Sequence, residues 1–214
     1  MEIRPDDFSN RFSDMKRFCE PSLSPEEIGN CIGMVLFKPD ATKSLLDLPI
    51  MEYIERELEE STGQTVGLFA FCLKKVKPGE VRKLYPEERN EQYLKYIQDH
   101  FSGGDVYVVL VAARNAPESL NRIKGSIRTG SGIRGNFCQN APIGEESMDD
   151  WKAGKLDPDT TRRIGIELFA ANLVHVPDDR EGTIRAIELL YPPKEIDKMR
   201  ASIPIFAKWL EYEQ

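Results

Sequence analysis

The chain has 214 residues, enough for one hydrophobic core with extensions, and a formal net charge of −7; that balance repels polyanions and excludes a nucleic-acid role without a segregated basic face. Its four cysteines, Cys19, Cys31, Cys72 and Cys138, show no C-x-x-C spacing and no neighbouring histidine, which sets aside a zinc site and a disulfide framework and suits a reducing compartment. No apolar run approaches the ~20 residues a bilayer span needs, and residues 1–7 lack a signal peptide's apolar segment, so a soluble cytoplasmic protein with no membrane association is expected.

Residues 1–29 mix Asp, Ser, Pro and isolated aromatics without a sustained period and are expected to form an extension. Cys31 to Phe37 is an apolar run of strand length, stopped at Lys38-Pro39-Asp40. Asp47 with Pro49 opens a helix whose stripe is Met51, Ile54 and Leu58 and which Gly63 closes. Thr65 to Val76 predicts a largely buried strand. Helices follow over Pro78 to Tyr85 and about Glu88 to Phe101, with His100 assigned a structural place at the second helix end. Val106 to Ala113 is the strongest strand. Asn115 with Glu118 then predicts a capping box ahead of a short helix carrying Leu120 and Ile123. Arg128 to Gly135 predicts a Gly-rich loop, Phe137 to Asp159 a polar excursion, and Thr160 to Ala171 some helix. Phe169 to Val176 predicts the last core strand. Asp178, with Glu181 three residues on, predicts the cap of a helix striped by Ile184, Ile187 and Leu190. The tail, with Phe206 and Trp209, is expected to be helical in part and to dock on the body or on another subunit.

That order gives two βαβ-type halves and suits an α+β, ferredoxin-like, four-stranded antiparallel sheet with helices on one face; a doubly wound parallel sheet is the alternative. The expected organisation is an extension over 1–29, a domain over 30–192 and a tail over 193–214.

Gly130-Ser131-Gly132-Ile133-Arg134-Gly135 satisfies G-x-G-x-x-G, but it follows a helix and leads into a polar excursion, so dinucleotide binding is not expected. No Walker A sequence is present, and phosphate binding would rest on side chains and loop amides. Between Arg114 and Phe137 the charges are Arg114, Arg122, Lys124, Arg128 and Arg134 against Glu118 alone. This segment is either a cationic loop for a small anionic ligand or a solvated helix face. His175 stands at a strand end, three residues after Asn172 and just before a helix start. Neutral imidazole is a competent nucleophile toward phosphorus, and a helix N-terminus beside it favours a phosphoryl group.

These residues, in this order, resemble the nucleoside diphosphate kinase family from about Cys31 to Tyr191. Phe37-Lys38-Pro39-Asp40 is similar to its first-strand K-P-D motif, Ile133-Arg134-Gly135-Asn136-Phe137 to its I-R-G-D-F, and Asn172-Leu173-Val174-His175 to its N-x-x-H. Tyr85 and Tyr93 fall where the family has a tyrosine near the histidine and an aromatic that stacks on the base. The resemblance implies a homo-oligomer that moves the terminal phosphate of a nucleoside triphosphate to a nucleoside diphosphate through phosphorylated His175, with Mg2+ bound to the nucleotide. By the same resemblance Lys38, Arg134 and Arg122 neutralise phosphates, Asn172 meets the sugar and Tyr93 stacks on the base.

The chain also departs from the pattern. After His175 come Val176-Pro177-Asp178, of which only the aspartate is retained. The family's histidine-orienting glutamate falls near Ala186, with Glu181 or Glu188 as substitutes, and its phosphate-binding threonine has no clear match around Ile127 to Thr129. An insertion spans about 138–171. These departures motivate an alternative: a nucleotide-binding regulatory or assembly protein with the same fold and little or no transfer.

Overall fold

The apolar run after Cys31 forms strand β1 (Ile32–Phe37), all six residues of which are buried. The computed structural model describes residues 23–63, 66–126, 129–138, 149–151 and 153–212. In chain order the elements are α1 (Pro25–Gly29), β1, α2 (Pro39–Lys43), α3 (Asp47–Thr62), β2 (Gly67–Lys74), α4 (Pro78–Leu84), α5 (Glu91–Ser102), β3 (Val106–Ala112), α6 (Ala116–Lys124) and α7 (Gly132–Phe137). Then come α8 (Pro158–Ile164), a π-helical turn (Gly165–Ala170), β4 (Val174–His175), α9 (Arg180–Leu190), α10 (Pro193–Ser202) and α11 (Pro204–Glu211).

The sheet has the order β2-β3-β1-β4, with every pairing antiparallel. This is the ferredoxin-like arrangement expected, but helices cover both faces rather than one. Ile32, Met34 and Leu36 alternate with Val35 and Phe37, sending the two sets into separate cores. One core takes Leu94, Ile97 and Phe101 of α5 together with Ile187 and Leu190 of α9; the other takes Ile50, Ile54 and Leu58 of α3 and Leu120 of α6. Burial on both faces explains why β1 and β3 are continuous apolar runs instead of alternating ones.

Strand β2 carries a bulge between Phe69 and Cys72, where Ala70 adopts φ +58°. The Tyr191 hydroxyl donates to the Ala70 carbonyl, which satisfies a group the bulge turns inward. The tail docks on the body: Phe206 and Trp209 are fully buried, and the Trp209 indole donates to Gly29 O at 3.1 Å. Arg180 lies over the Trp209 ring and donates to Trp209 O and Tyr212 O at 2.8 and 2.9 Å, fastening α11 to the start of α9.

Four local expectations are corrected. Asn115 stands at the start of α6 with φ 50° and makes no side-chain cap, so the capping box does not form. The Gly-rich stretch is not all loop, because Gly132–Phe137 is helical and buries Ile133. The last strand is two residues long, since the chain is helical through Ala170. The cap of α9 is Asp179, which accepts the Gly182 N–H at 2.7 Å, and not Asp178. Arg128 and all of 1–22 fall outside the described residues, as does much of the excursion. Among the described residues no helix is long and apolar enough to cross a membrane.

Candidate active site

The end of β1 and the short β4 lie side by side, with Leu36 opposite His175. The chain reaches β4 through a tight turn. Val174 N–H donates to Asn172 O at 2.8 Å, and Leu173 between them has φ +69°. A γ-turn with positive φ at a branched residue is strained by about 1–3 kcal/mol and persists only where its surroundings over-determine it. Here they do. Lys38 N–H donates to Leu173 O at 2.8 Å, and Asp40 Oδ2 accepts the Leu173 N–H at 2.8 Å. Asp40 Oδ1 in turn faces His100 Nε2 at 2.8 Å, which gives His100 its structural place.

The same turn directs Asn172 at Lys38. The Lys38 ammonium is 1% exposed and donates to Asn172 Oδ1 at 2.6 Å and to Ala170 O at 3.2 Å. Burial first, then the neighbouring Arg134 charge, pulls its pKa down to about 7. His175 is held well below its ordinary value by burial and by the Lys38, Lys124 and Arg134 charges, so its imidazole is neutral. The Tyr85 ring packs on it, with centroids 4.6 Å apart and planes at 49°.

These side chains open on a cavity of about 460 Å³ lined by Lys38, Tyr85, Tyr93, Arg134, Asn172 and His175. Two buried polar atoms on its wall, Tyr85 Oη and Arg134 Nε, have no partner among the described residues. Buried donors left open in this way can take a partner from the cavity, water included. Burial lowers the pKa of Arg134 and raises those of Tyr85 and Tyr93, in each case against the charged form.

Arg122 is exposed and does not line the cavity. Lys124 does. Residues two apart on a helix point in nearly opposite directions, whereas Leu120, Ile123 and Lys124 share the inward side; sequence reasoning missed Lys124, and that spacing is the signal that could have found it. Two glycines of the G-x-G-x-x-G stretch, Gly132 and Gly135, serve backbone packing, and Gly130 supplies a positive φ of 62°. A Cβ on Gly132 would lie 2.3 Å from Ile123 O, and one on Gly135 would lie 2.0 Å from the Gly130 carbonyl carbon.

Ala186, where the resemblance places the histidine-orienting glutamate, lines the cavity. Glu181 reaches the rim and exposed Glu188 does not, and no described residue hydrogen-bonds the His175 ring. Among the described residues of the insertion, none lines the cavity. The helix it forms packs instead on α5, where Gly165 sits so close to the Tyr96 ring that a Cβ would be 2.5 Å from it.

No protein-family model matches the chain, and no curated protein matches it by sequence. Solved structures do match. A nucleoside-diphosphate kinase from Borrelia burgdorferi, a transition-state mimic with bound vanadate and ADP, is 15% identical with TM-score 0.57, over 77% of this chain and 88% of that one. The fold is that of nucleoside diphosphate kinases. A nucleoside diphosphate kinase family protein from Babesia bovis (17% identity, TM-score 0.51, 76% of this chain and 89% of that one) has the same fold. So does the Aquifex aeolicus nucleoside diphosphate kinase (16%, 0.50, 77% and 96%). A nucleoside diphosphate kinase fold thus carries, at this cavity, a neutral histidine beside Lys38, Lys124 and Arg134.

Proposed function

We propose that the protein is a phosphotransferase that moves the terminal phosphoryl group of a nucleoside triphosphate to a nucleoside diphosphate through phosphorylated His175. The observation that carries this reading is the half-buried, neutral His175 facing a cavity walled by Lys38, Lys124 and Arg134. A lone pair on an imidazole nitrogen attacks the terminal phosphorus while the bond to the bridging oxygen breaks, and the diphosphate leaves with that electron pair. A terminal oxygen of the acceptor diphosphate then attacks the same phosphorus, and the N–P bond electrons return to the ring. Charge spreads over the equatorial oxygens in each step, where the cations stabilise it; removing one such contact costs about 10²–10³ in rate. Mg2+ enters as part of the nucleotide. Tyr93 offers a ring face to a base, which every base can use.

Incubation with γ-labelled ATP tests the reading. Acid-labile, base-stable label on the wild type and none on His175→Ala is expected; label persisting in His175→Ala removes the histidine from the role.

A second reading is favoured by Ala186 and by the ring's lack of a hydrogen-bond partner among the described residues. It is a regulatory or assembly protein that binds nucleotide without transferring phosphate. Calorimetric binding of ATP with no phosphate exchange into a second diphosphate would select it, and exchange at ordinary enzymatic rates would sink it.

A further inference from the structure

Lys124 is the last residue of α6, and its side chain is only 17% exposed. Its ammonium donates to Asn121 Oδ1 and stands 3.7 Å from the Asp178 carboxylate, whose side chain is 89% exposed. Asn121 is itself fixed, because its amide donates to Pro117 O at 3.1 Å and to Pro177 O at 3.0 Å. Pro177 lies two residues beyond His175. Asn121 therefore ties the end of α6 to the loop that leaves the histidine, and aims Lys124 into the same cavity.

The partners of Lys124 differ in kind from those of Lys38. Lys38 is held by a buried amide and a backbone carbonyl. The ionic partner of Lys124 is a solvated carboxylate at a distance where such a pair is weak and easily exchanged. A phosphoryl oxygen offers a charge-assisted bond in a site drier than the one Asp178 provides.

We infer that Lys124, aimed by Asn121 and released from Asp178, binds the terminal phosphoryl group beside His175, in the role that Arg122 does not reach. The inference rests on reading the cavity as a nucleotide phosphate site. Asp178 acts as the place-holder that the phosphate displaces.

Calorimetric titration of the full chain with ATP and with inorganic tripolyphosphate separates the two claims. Lys124→Met should weaken both ligands by tenfold or more, and Lys124→Arg should recover most of the loss. Arg122→Met should stay within twofold of wild type, and Asp178→Asn should tighten both ligands two- to fivefold. In turnover, Lys124→Met should lower kcat and not KM alone, as a contact to the transferring group requires. Lys124→Met binding both ligands within twofold of wild type overturns the inference. Should Lys124→Met fail to fold, unchanged affinity in Asp178→Asn does so. Wild type that binds tripolyphosphate but no ATP overturns the nucleotide reading while Lys124 is still judged on tripolyphosphate, and wild type that binds neither overturns both.

Discussion

Asp40 Oδ2 accepts the backbone N–H of Leu173 at 2.8 Å across 133 positions of sequence, and this bond holds the strained turn from which Asn172 and His175 project. Burial alone would raise the Asp40 carboxyl, but the hydrogen bond and charge of His100, the Lys38 charge and the Leu173 bond together lower it. Asp40→Ala removes the acceptor and should destabilise the fold by about 2–3 kcal/mol, with a loss of phosphorylation larger than the loss of folded protein. Asp40→Asn keeps one acceptor and should cost less. Because the folded pKa lies below the unfolded one, the charged carboxylate's contribution is present above the ordinary Asp pKa and is lost as pH falls through the depressed value. Denaturant titrations of both variants across acid pH check the sign. Equal stability of Asp40→Ala and wild type would remove this account.

Lys38 should take up a proton when a polyphosphate binds. With its pKa at about 7, the ammonium is largely neutral at pH 8, and an entering anion favours the charged form. Calorimetry in two buffers of different ionisation enthalpy should show uptake of about one proton at pH 8, shrinking below pH 6.5. Identical heats in the two buffers would contradict it. In the free protein the unfolded chain alone holds this proton between about 7 and 10.5, so this group's contribution to stability falls as pH drops across that window and is flat below it.

Tyr85 carries a buried hydroxyl with no partner among the described residues. Tyr85→Phe should therefore leave stability unchanged or raise it by about 1 kcal/mol, because an unsatisfied polar atom is removed while the ring stays on His175. Nucleotide affinity should fall. Paired thermal melts and binding isotherms read the two effects; lower stability with unchanged affinity would place the hydroxyl in the fold and not in the site.

Ala186→Glu would put a carboxylate on the cavity wall beside the histidine. The His175 titration, followed by NMR of its ring protons, should move up toward the ordinary histidine value. An oriented ring should also speed phosphorylation about tenfold, or about 1.4 kcal/mol of barrier. A ring pKa that stays depressed would show that the new side chain does not reach it.

Strands β1 and β3 were legible because burial on both faces leaves an unbroken apolar signature, and α3 because its stripe and its Gly63 stop agree. The run from Phe169 to Val176 was not, since apolarity without a clear period is the same in a buried helix as in a buried strand. Tertiary packing decided the case: residues up to Ala170 extend the helix seated on α5, and only Val174 and His175 find partners on β1. Lys38, Tyr85, Tyr93, Arg134, Asn172 and His175 were each singled out in the sequence and line one cavity, yet the sequence could not show that Lys38 bonds Asn172, a pairing over 134 positions. Arg122 and Lys124 were both visible as charges; the helical phase set by Leu120 and Ile123 distinguishes them.

The π-helical turn Gly165–Ala170 lies between two fixed points. Gly165 is wedged against Tyr96, and Leu173 is bound by Asp40. Its Ala171 N–H bonds Ile166 O at 2.7 Å, five residues back, so the turn holds one residue more than an α-helical turn would. Removing a single residue from α8 with no wide turn to absorb the change would rotate everything downstream by about 100° or drag Asn172 off Lys38, whereas removing one from the wide turn itself lets the helix rewind in nearly the same phase. The wide turn is thus a length adjuster that lets a long inserted helix meet the histidine strand without changing where the histidine points.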